Sequence, residues 1–431
     1  MLLLEKAILF ITLFAIAFPL GATIGPIKIA LYNIPLILLL FLWMFRVPTN
    51  RIISKANSWD LILFLFMFWI LLSSYISGSD NFEKAFLFAT SSFLAIYSRH
   101  NFSITFDYKF ILVFSITLVS LQIFVCLLQY ATNSNIGAIC LYFGQKGDFN
   151  PLMLSGIMQR AVGTVGLPNL VCLWLIMLVP FLYMNYSKRS SDVINKLRWR
   201  SVSLILMMLS LAIVIMNNSR ANFFALILSM MYLFFITSPK HKYSSIYSTK
   251  CGYIFVSLLL LSLCVFVSLG WHYYSEFILN FADFYFEHWN VVGYSFAVRL
   301  EQYKAALITI AHNPLYGIGW EEGKYSWDFY EFSVPADLQL RPHNIYLTIA
   351  TESGLPALIC LFFLVLKPLV MYLSKNVSKN IWTDAMFISL ASFLFVSLFY
   401  IVPLHLGIWP FFMFSLGTFY TMVYSMKKHM K

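Results

Sequence analysis

The sequence predicts an all-α, polytopic integral membrane protein with about 12 transmembrane helices, and three observations carry that prediction. Of the 431 residues, 60% are hydrophobic and only 11% charged, far more apolar than soluble domains. The apolar residues gather into runs near the roughly 20 residues a helix needs to cross the hydrocarbon. Twelve such runs lie near 7–24, 27–45, 60–77, 85–98, 110–132, 168–186, 202–217, 221–237, 252–270, 345–373, 381–403 and 406–425. Finally, Lys and Arg alternate in density between successive connections, as the positive-inside rule requires.

Taken in order, the connections fix the orientation. Lys6 precedes the first run, in which Ala15-Ile16-Ala17 imitates a signal-peptide cleavage site; cleavage there would leave the later topology unchanged. The same face then receives Arg46, Arg51 and Lys55 after run two, and Arg99 and Lys109 after run four. SKRSSDVINKLRWR (187–200) follows run six, Lys240, Lys242 and Lys250 follow run eight, and Lys375 and Lys379 follow run ten; MKKHMK closes the chain. Most of the 29 Lys and Arg thus share one side, which makes it cytoplasmic and puts both termini there. Lys28 falls near the outer start of run two, and Lys367 near the inner end of run ten, where it can snorkel. A basic face beside anionic lipid accounts for the net charge of +11 without a nucleic-acid partner. Cys126, Cys172, Cys264 and Cys360 fall in runs, Cys251 near the inner face and Cys140 in an outer loop, so no outer disulfide is expected.

The chain divides into helices one to nine (1–270) with an outer loop at 133–167, a large outer loop at 271–344, and three final helices (345–431). Long loops are where function concentrates. The large loop contains SFAVRLEQYKAALITIAHNP, a helix predicted to lie along the membrane surface with Val298, Tyr303, Leu307 and Ile310 on its apolar side.

Four outer arginines, Arg160, Arg220, Arg299 and Arg341, are candidate anion ligands. Arg220, in NNSRAN, occupies the first turn of helix eight, and Arg299 lies near the start of the surface helix. A cation there opposes the macrodipole, so a compensating anion is expected. Free N–H groups and a bidentate fork suit a pyrophosphate; lipid headgroups or the outer acids Asp283, Glu287, Glu321 and Glu322 are the alternative partners. His343 follows Pro342 at the entrance to helix ten and is a candidate general base, although a lone histidine there is more often a helix-capping or headgroup-facing residue. Leu347, Ala350 and Gly354 return to its side of a continuous helix, a stripe that admits close approach, while Glu352 points away. Gly354 and Pro356 are candidate breaks in that helix. Tyr316, Trp320 and Trp327 are candidate sugar platforms, with packing the commoner aromatic role. No HExxH occurs, and His272, His288, His312 and His405 lack metal-ligand spacing, so the sequence carries no sign of a metal or other cofactor site. The turn NPLYGIGW reads as a fold-back rather than a nucleotide cradle.

HNIYLTIATESGLPA (343–357) resembles the signature of the O-antigen ligase and polymerase superfamily. His343, Asn344 and Gly354 match it, while Ala357 departs at the last position, where the family has Gly, Thr or Tyr. QRAVGTVGLPN (159–169), NNSRANFFAL (217–226) and RLEQYKAALITIAHNPLYGIGW (299–320) are similar to the family's pattern in the same order. The resemblance implies a multi-pass protein of the bacterial inner membrane whose large loop and active site are periplasmic. It implies a metal-independent, inverting glycosyl transfer from an undecaprenyl-diphosphate-linked glycan. His343 would be the base, Arg220 and Arg299 the diphosphate ligands, Arg160 and Arg341 their assistants, and Asn344 and Gly354 supporting residues. An O-antigen ligase, with lipid A core oligosaccharide as acceptor, is the favoured reading, and a polymerase joining lipid-linked repeats the alternative. A lipid-linked oligosaccharide transporter fits less well, because the outer arginines sit at helix ends and no internal repeat is visible.

Overall fold

In the computed structural model the described residues are 2–18, 21–24, 27–30, 32–47, 56–101, 107–132, 134, 160–186, 197–217, 219–237, 254, 257, 292–329, 341–374, 381–400 and 408–428. They form thirteen α-helices: α1 (Leu2–Ile16), α2 (Asn33–Arg46), α3 (Ser58–Ile76), α4 (Phe82–Ser91), α5 (Phe93–His100), α6 (Tyr108–Thr132), α7 (Pro168–Tyr186), α8 (Leu197–Met216), α9 (Arg220–Thr237), α10 (Val292–His312), α11 (Ile345–Leu373), α12 (Ile381–Val396) and α13 (Trp409–Lys428). Run nine lies outside the described residues apart from Ile254 and Ser257, as does most of the 133–167 loop.

Two departures from expectation have local causes. Run two does not begin as helix: Gly21–Ile24 and Ile27–Ala30 pair as an antiparallel hairpin, with Gly21 opposite Ala30, so the fold is helical but not strictly all-α. The β-branched Thr23, Ile24, Ile27 and Ile29 favour strand over helix. Run four is divided at Ser92 into α4 and α5. There Thr90, Ser91 and Ser92 bond back to the carbonyls of Leu87 and Phe88, a pattern that bends helices.

Among the described residues four helices are long and apolar enough to cross a membrane: α3, α6 from Lys109, α7 and α11. α2, α8, α9 and α12 contain shorter apolar stretches. α7 is the centre of the bundle, buried at every position from Leu170 to Asn185 and packed by α6, α8, α9 and α12; a helix apolar all round belongs in that position. α11 packs along α3. Ser58 accepts from Lys367 at one end of that pair, and Trp69 donates to the Ser353 carbonyl towards the other, so the two helices run antiparallel.

Charge divides between those two ends. At the Ser58 end Arg46 pairs with Glu5 at 2.6 Å, Lys6 with Asp107 at 2.8 Å, and Arg99 with Asp60. These residues come from the segments whose basic content marked them as one side. At the far end stand Lys84, paired with Glu321, and Arg341.

Candidate functional site

α11 is interrupted where its sequence forbids a regular ladder. Pro356 has no N–H, and Gly354 sits at φ 81° and ψ 171°. The carbonyls of Thr351, Glu352 and Ser353 therefore need outside donors, a demand that is strict inside a membrane. The turn after α10 supplies them: Ile318 N–H donates to Thr351 at 2.9 Å and Gly319 N–H to Glu352 at 3.0 Å, while Trp69 Nε1–H donates to Ser353 at 3.1 Å. In return Leu355 N–H donates to the Pro314 carbonyl at 2.8 Å. The approach is so close that a Cβ at Gly354 would overlap the Leu315 carbonyl, and one at Gly317 would overlap that of Thr351. NPLYGIGW is thus a fold-back that docks into the helix break.

Arg341 and Glu352 lock this docking. Arg341 Nε and Nη2 each donate to Glu352 at 2.6 Å, and the same carboxylate accepts the N–H groups of Glu321 (3.0 Å) and Gly323 (3.2 Å). Glu352 is fully buried, so four donors replace its hydration. The Arg341 guanidinium is therefore committed to a carboxylate.

His343 lies just before α11. Asn344 caps α11, its side chain accepting from Tyr346 N–H and Leu347 N–H. From α10, Tyr303 Oη donates to the His343 carbonyl at 3.0 Å, and the His343 ring places Nδ1 2.9 Å from Gln302 Oε1. An amide oxygen only accepts, so Nδ1 carries the proton and Nε2 the lone pair. Nε2 has no partner among the described residues. Burial first, and the Arg299 charge second, push the His343 pKa down to about 4, so the ring is neutral at physiological pH.

Arg299 lies over the Tyr400 ring, 5.4 Å from its centroid, and the Tyr400 hydroxyl meets Ser219 Oγ at 3.5 Å. Through Ser219 the cluster reaches two further arginines. Arg220 follows directly as the exposed first residue of α9. Arg160 donates to the Asn217 carbonyl at 2.8 Å and to Asn169 Oδ1 at 3.1 Å, and Asn169 Oδ1 also accepts from Ser219 at 3.0 Å. The 161–164 backbone beside Arg160 is buried without helix or strand. Side chains of α6 pair it instead: Gln129 accepts from Val162 and Gly163 N–H, and Gln122 from Thr164 N–H. No carboxylate pairs with Arg160, Arg220 or Arg299 among the described residues.

Of the residues singled out from sequence, His343, Asn344, Arg299, Arg220 and Arg160 are thereby linked into one region. Gly354 and Arg341 stand in the adjoining helix break. Gln302, Tyr400, Asn169 and Asn217 were not read from the sequence. Gln302 had a signal, since it stands one turn after Arg299 on the same helix. Tyr400 had none, its role depending on where the chain returns. The helix predicted along the membrane surface, α10, turns Glu301, Gln302, Ala305, Ala306 and Thr309 into the fold and leaves Leu307, on its apolar side, exposed. It packs on α11 and the 323–329 turn of 3₁₀ helix, whose contacts favour small and polar groups. Trp320 is buried against Phe88, and Tyr316 is stacked on Trp69, so both pack within the fold; the Trp327 side chain lies outside the described residues. Among the described residues no three His, Cys, Asp or Glu side chains gather as a metal-binding group.

The O-Antigen ligase family model matches residues 205–362, from within α8 to within α11. That span contains Arg220, Arg299, Arg341, His343 and Gly354 but not Arg160. No match to a curated protein was found.

Proposed function

We propose, for this membrane protein with its O-antigen ligase family domain, that it is an O-antigen ligase. The observation that carries this reading is a neutral His343 with a free Nε2 beside arginines that have no carboxylate among the described residues. In the proposed reaction an acceptor sugar hydroxyl attacks the anomeric carbon of an undecaprenyl-diphosphate-linked glycan. His343 Nε2 takes the hydroxyl proton, the new C–O bond forms, and the bond to the diphosphate breaks on the opposite face, inverting the centre. Arg220 and Arg299, with Arg160, neutralise the departing diphosphate where its charge develops. Arg341, already bound by Glu352, holds the loop that leads to His343. An anion beside Arg299 also offsets the charge that depresses His343, so donor binding makes the base stronger.

This reading places the site on the periplasmic side of a bacterial inner membrane, with both termini cytoplasmic and about 12 spans. The separation of the two charged ends supports that orientation. Lipid A core oligosaccharide is the proposed acceptor. The same donor, base and anion site also serve a polymerase that joins lipid-linked repeats, so only the acceptor separates the two. Purified protein given lipid-linked donor and lipid A core should form a glycan joined to lipid A core. Chain growth on the polyprenyl carrier alone, with no transfer to lipid A core, would establish the polymerase instead; donor movement across vesicles without transfer would indicate a transporter.

Arg220→Ala and Arg299→Ala are each expected to weaken binding of a diphosphate-containing donor analogue about 10- to 100-fold, the scale of a charged hydrogen bond. Lys at either position should restore part of that, since it keeps the charge but not the planar fork. Arg299→Ala should also move the acid limb of kcat/KM upward, because one cause of the low His343 pKa is removed. Unchanged affinity and turnover in both alanine variants would reject the anion site.

A further inference from the structure

We propose that Gln302 is the positioning residue that sets the tautomer of His343, accepting its Nδ1–H so that Nε2 is kept as the proton acceptor. This inference rests on the reading of His343 as the base. The contact of 2.9 Å joins two elements 41 residues apart in sequence, and Gln302 is buried at 2% exposure. A buried amide oxygen without a donor is costly, and the imidazole N–H meets that need while its own orientation is fixed. The backbone at His343 is held separately, by the Tyr303 hydroxyl and by the Asn344 cap that follows it. With the main chain anchored, the ring's remaining freedom is rotation about its side-chain bonds, which Gln302 restrains.

The choice of an amide over a carboxylate has a chemical consequence. A carboxylate at this position would stabilise the imidazolium and hold the base protonated before substrate arrives. The neutral amide fixes the tautomer without adding that charge, and Arg299, one turn earlier on α10, disfavours protonation further. One helix therefore carries both the group that orients the ring and the cation that keeps it neutral until an anion binds.

The test uses the full-length protein in lipid nanodiscs, with Gln302→Leu, Gln302→Glu and His343→Ala. Histidine ¹⁵N NMR, with the His343 signal identified by its loss in His343→Ala, reads the tautomer independently of turnover. Gln302→Leu should convert a single Nδ1–H form into a mixture and lower kcat by on the order of 10- to 100-fold, with donor KM changed much less; this is smaller than the ~10⁴-fold seen where a charged tautomer-setting partner is lost. Gln302→Glu should keep the Nδ1–H form, retain more turnover than Gln302→Leu and shift the acid limb of kcat/KM to higher pH. Retention of the Nδ1–H form in Gln302→Leu, or an unchanged kcat, would overturn the proposal. If Gln302→Leu fails to fold, an unmoved acid limb in Gln302→Glu would overturn it. Normal turnover by His343→Ala would instead remove the base reading, leaving the NMR result to decide whether Gln302 sets the ring.

Discussion

Replacing His343 with Ala is expected to lower kcat by about 10²–10⁴-fold, the usual contribution of a general base. Membrane insertion should be retained, because the Asn344 cap and the Tyr303 bond to the 343 carbonyl involve atoms the substitution leaves in place; thermal stability should fall by no more than about 1–3 kcal/mol, the cost of leaving the Gln302 amide oxygen without its donor. Near-normal turnover by folded protein would reject the base role. The pH dependence follows from the pKa near 4, below the ordinary 6.5. In the free enzyme His343 stays neutral down to mildly acidic pH, so kcat/KM should fall only as pH drops through about 4. The kcat limb, which reports the donor-bound state, should lie higher because the diphosphate offsets Arg299. For stability the sign is that of a depressed histidine. Its contribution is fully present above the unfolded value of 6.5, and is lost as pH falls from there towards 4 while the unfolded chain binds the proton first.

The second large effect is expected at Glu352, where Ala should destabilise the fold by about 3–5 kcal/mol, the scale for removing one member of a buried ion pair. The substitution leaves Arg341 without its bidentate partner and the N–H groups of Glu321 and Gly323 without an acceptor. Chemical unfolding in mild detergent measures the loss, and a wild-type midpoint would show that the pair does not hold the docked turn. The combined change Arg341→Met with Glu352→Leu should recover only part of the stability, since an apolar pair avoids the uncompensated charge but still leaves the N–H groups of Glu321 and Gly323 without an acceptor. Arg341→Ala alone should fail through the fold before it fails in donor affinity. That distinguishes it from Arg220 and Arg299, whose guanidinium groups have no carboxylate among the described residues.

Much of the architecture was legible because bilayer thickness and the ladder demand are strong constraints. α7 and α11 have the predicted limits, and α3, α6 and α9 differ from theirs by a residue or two. The hairpin at 21–30 escaped because hydropathy alone does not separate a short apolar strand from the start of a helix. The arginines and His343 were visible as charge at helix entrances. What charge pattern could not show was which of them was already paired. Glu352, facing away from His343 on the helical wheel, proved to be the partner of Arg341. Nor could it reveal Tyr400, whose position over Arg299 depends on tertiary packing between distant segments.

The interruption of α11 also bears on how the site meets the bilayer. Its 29 residues would reach about 44 Å as one rod, well beyond a hydrocarbon core of about 30 Å. Beyond Gly354, however, the stretch Leu355–Leu373 is close to a single bilayer thickness on its own. The preceding turns are bonded sideways, to Ile318, Gly319 and Trp69. The lower segment has anchors of its own along α3, where Trp59 Nε1–H donates to the Leu364 carbonyl at 3.0 Å and Lys367 donates to Ser58 at 2.8 Å. One helix is thus held in two registers, its His343 end by the turn after α10 and its bilayer-length remainder by α3.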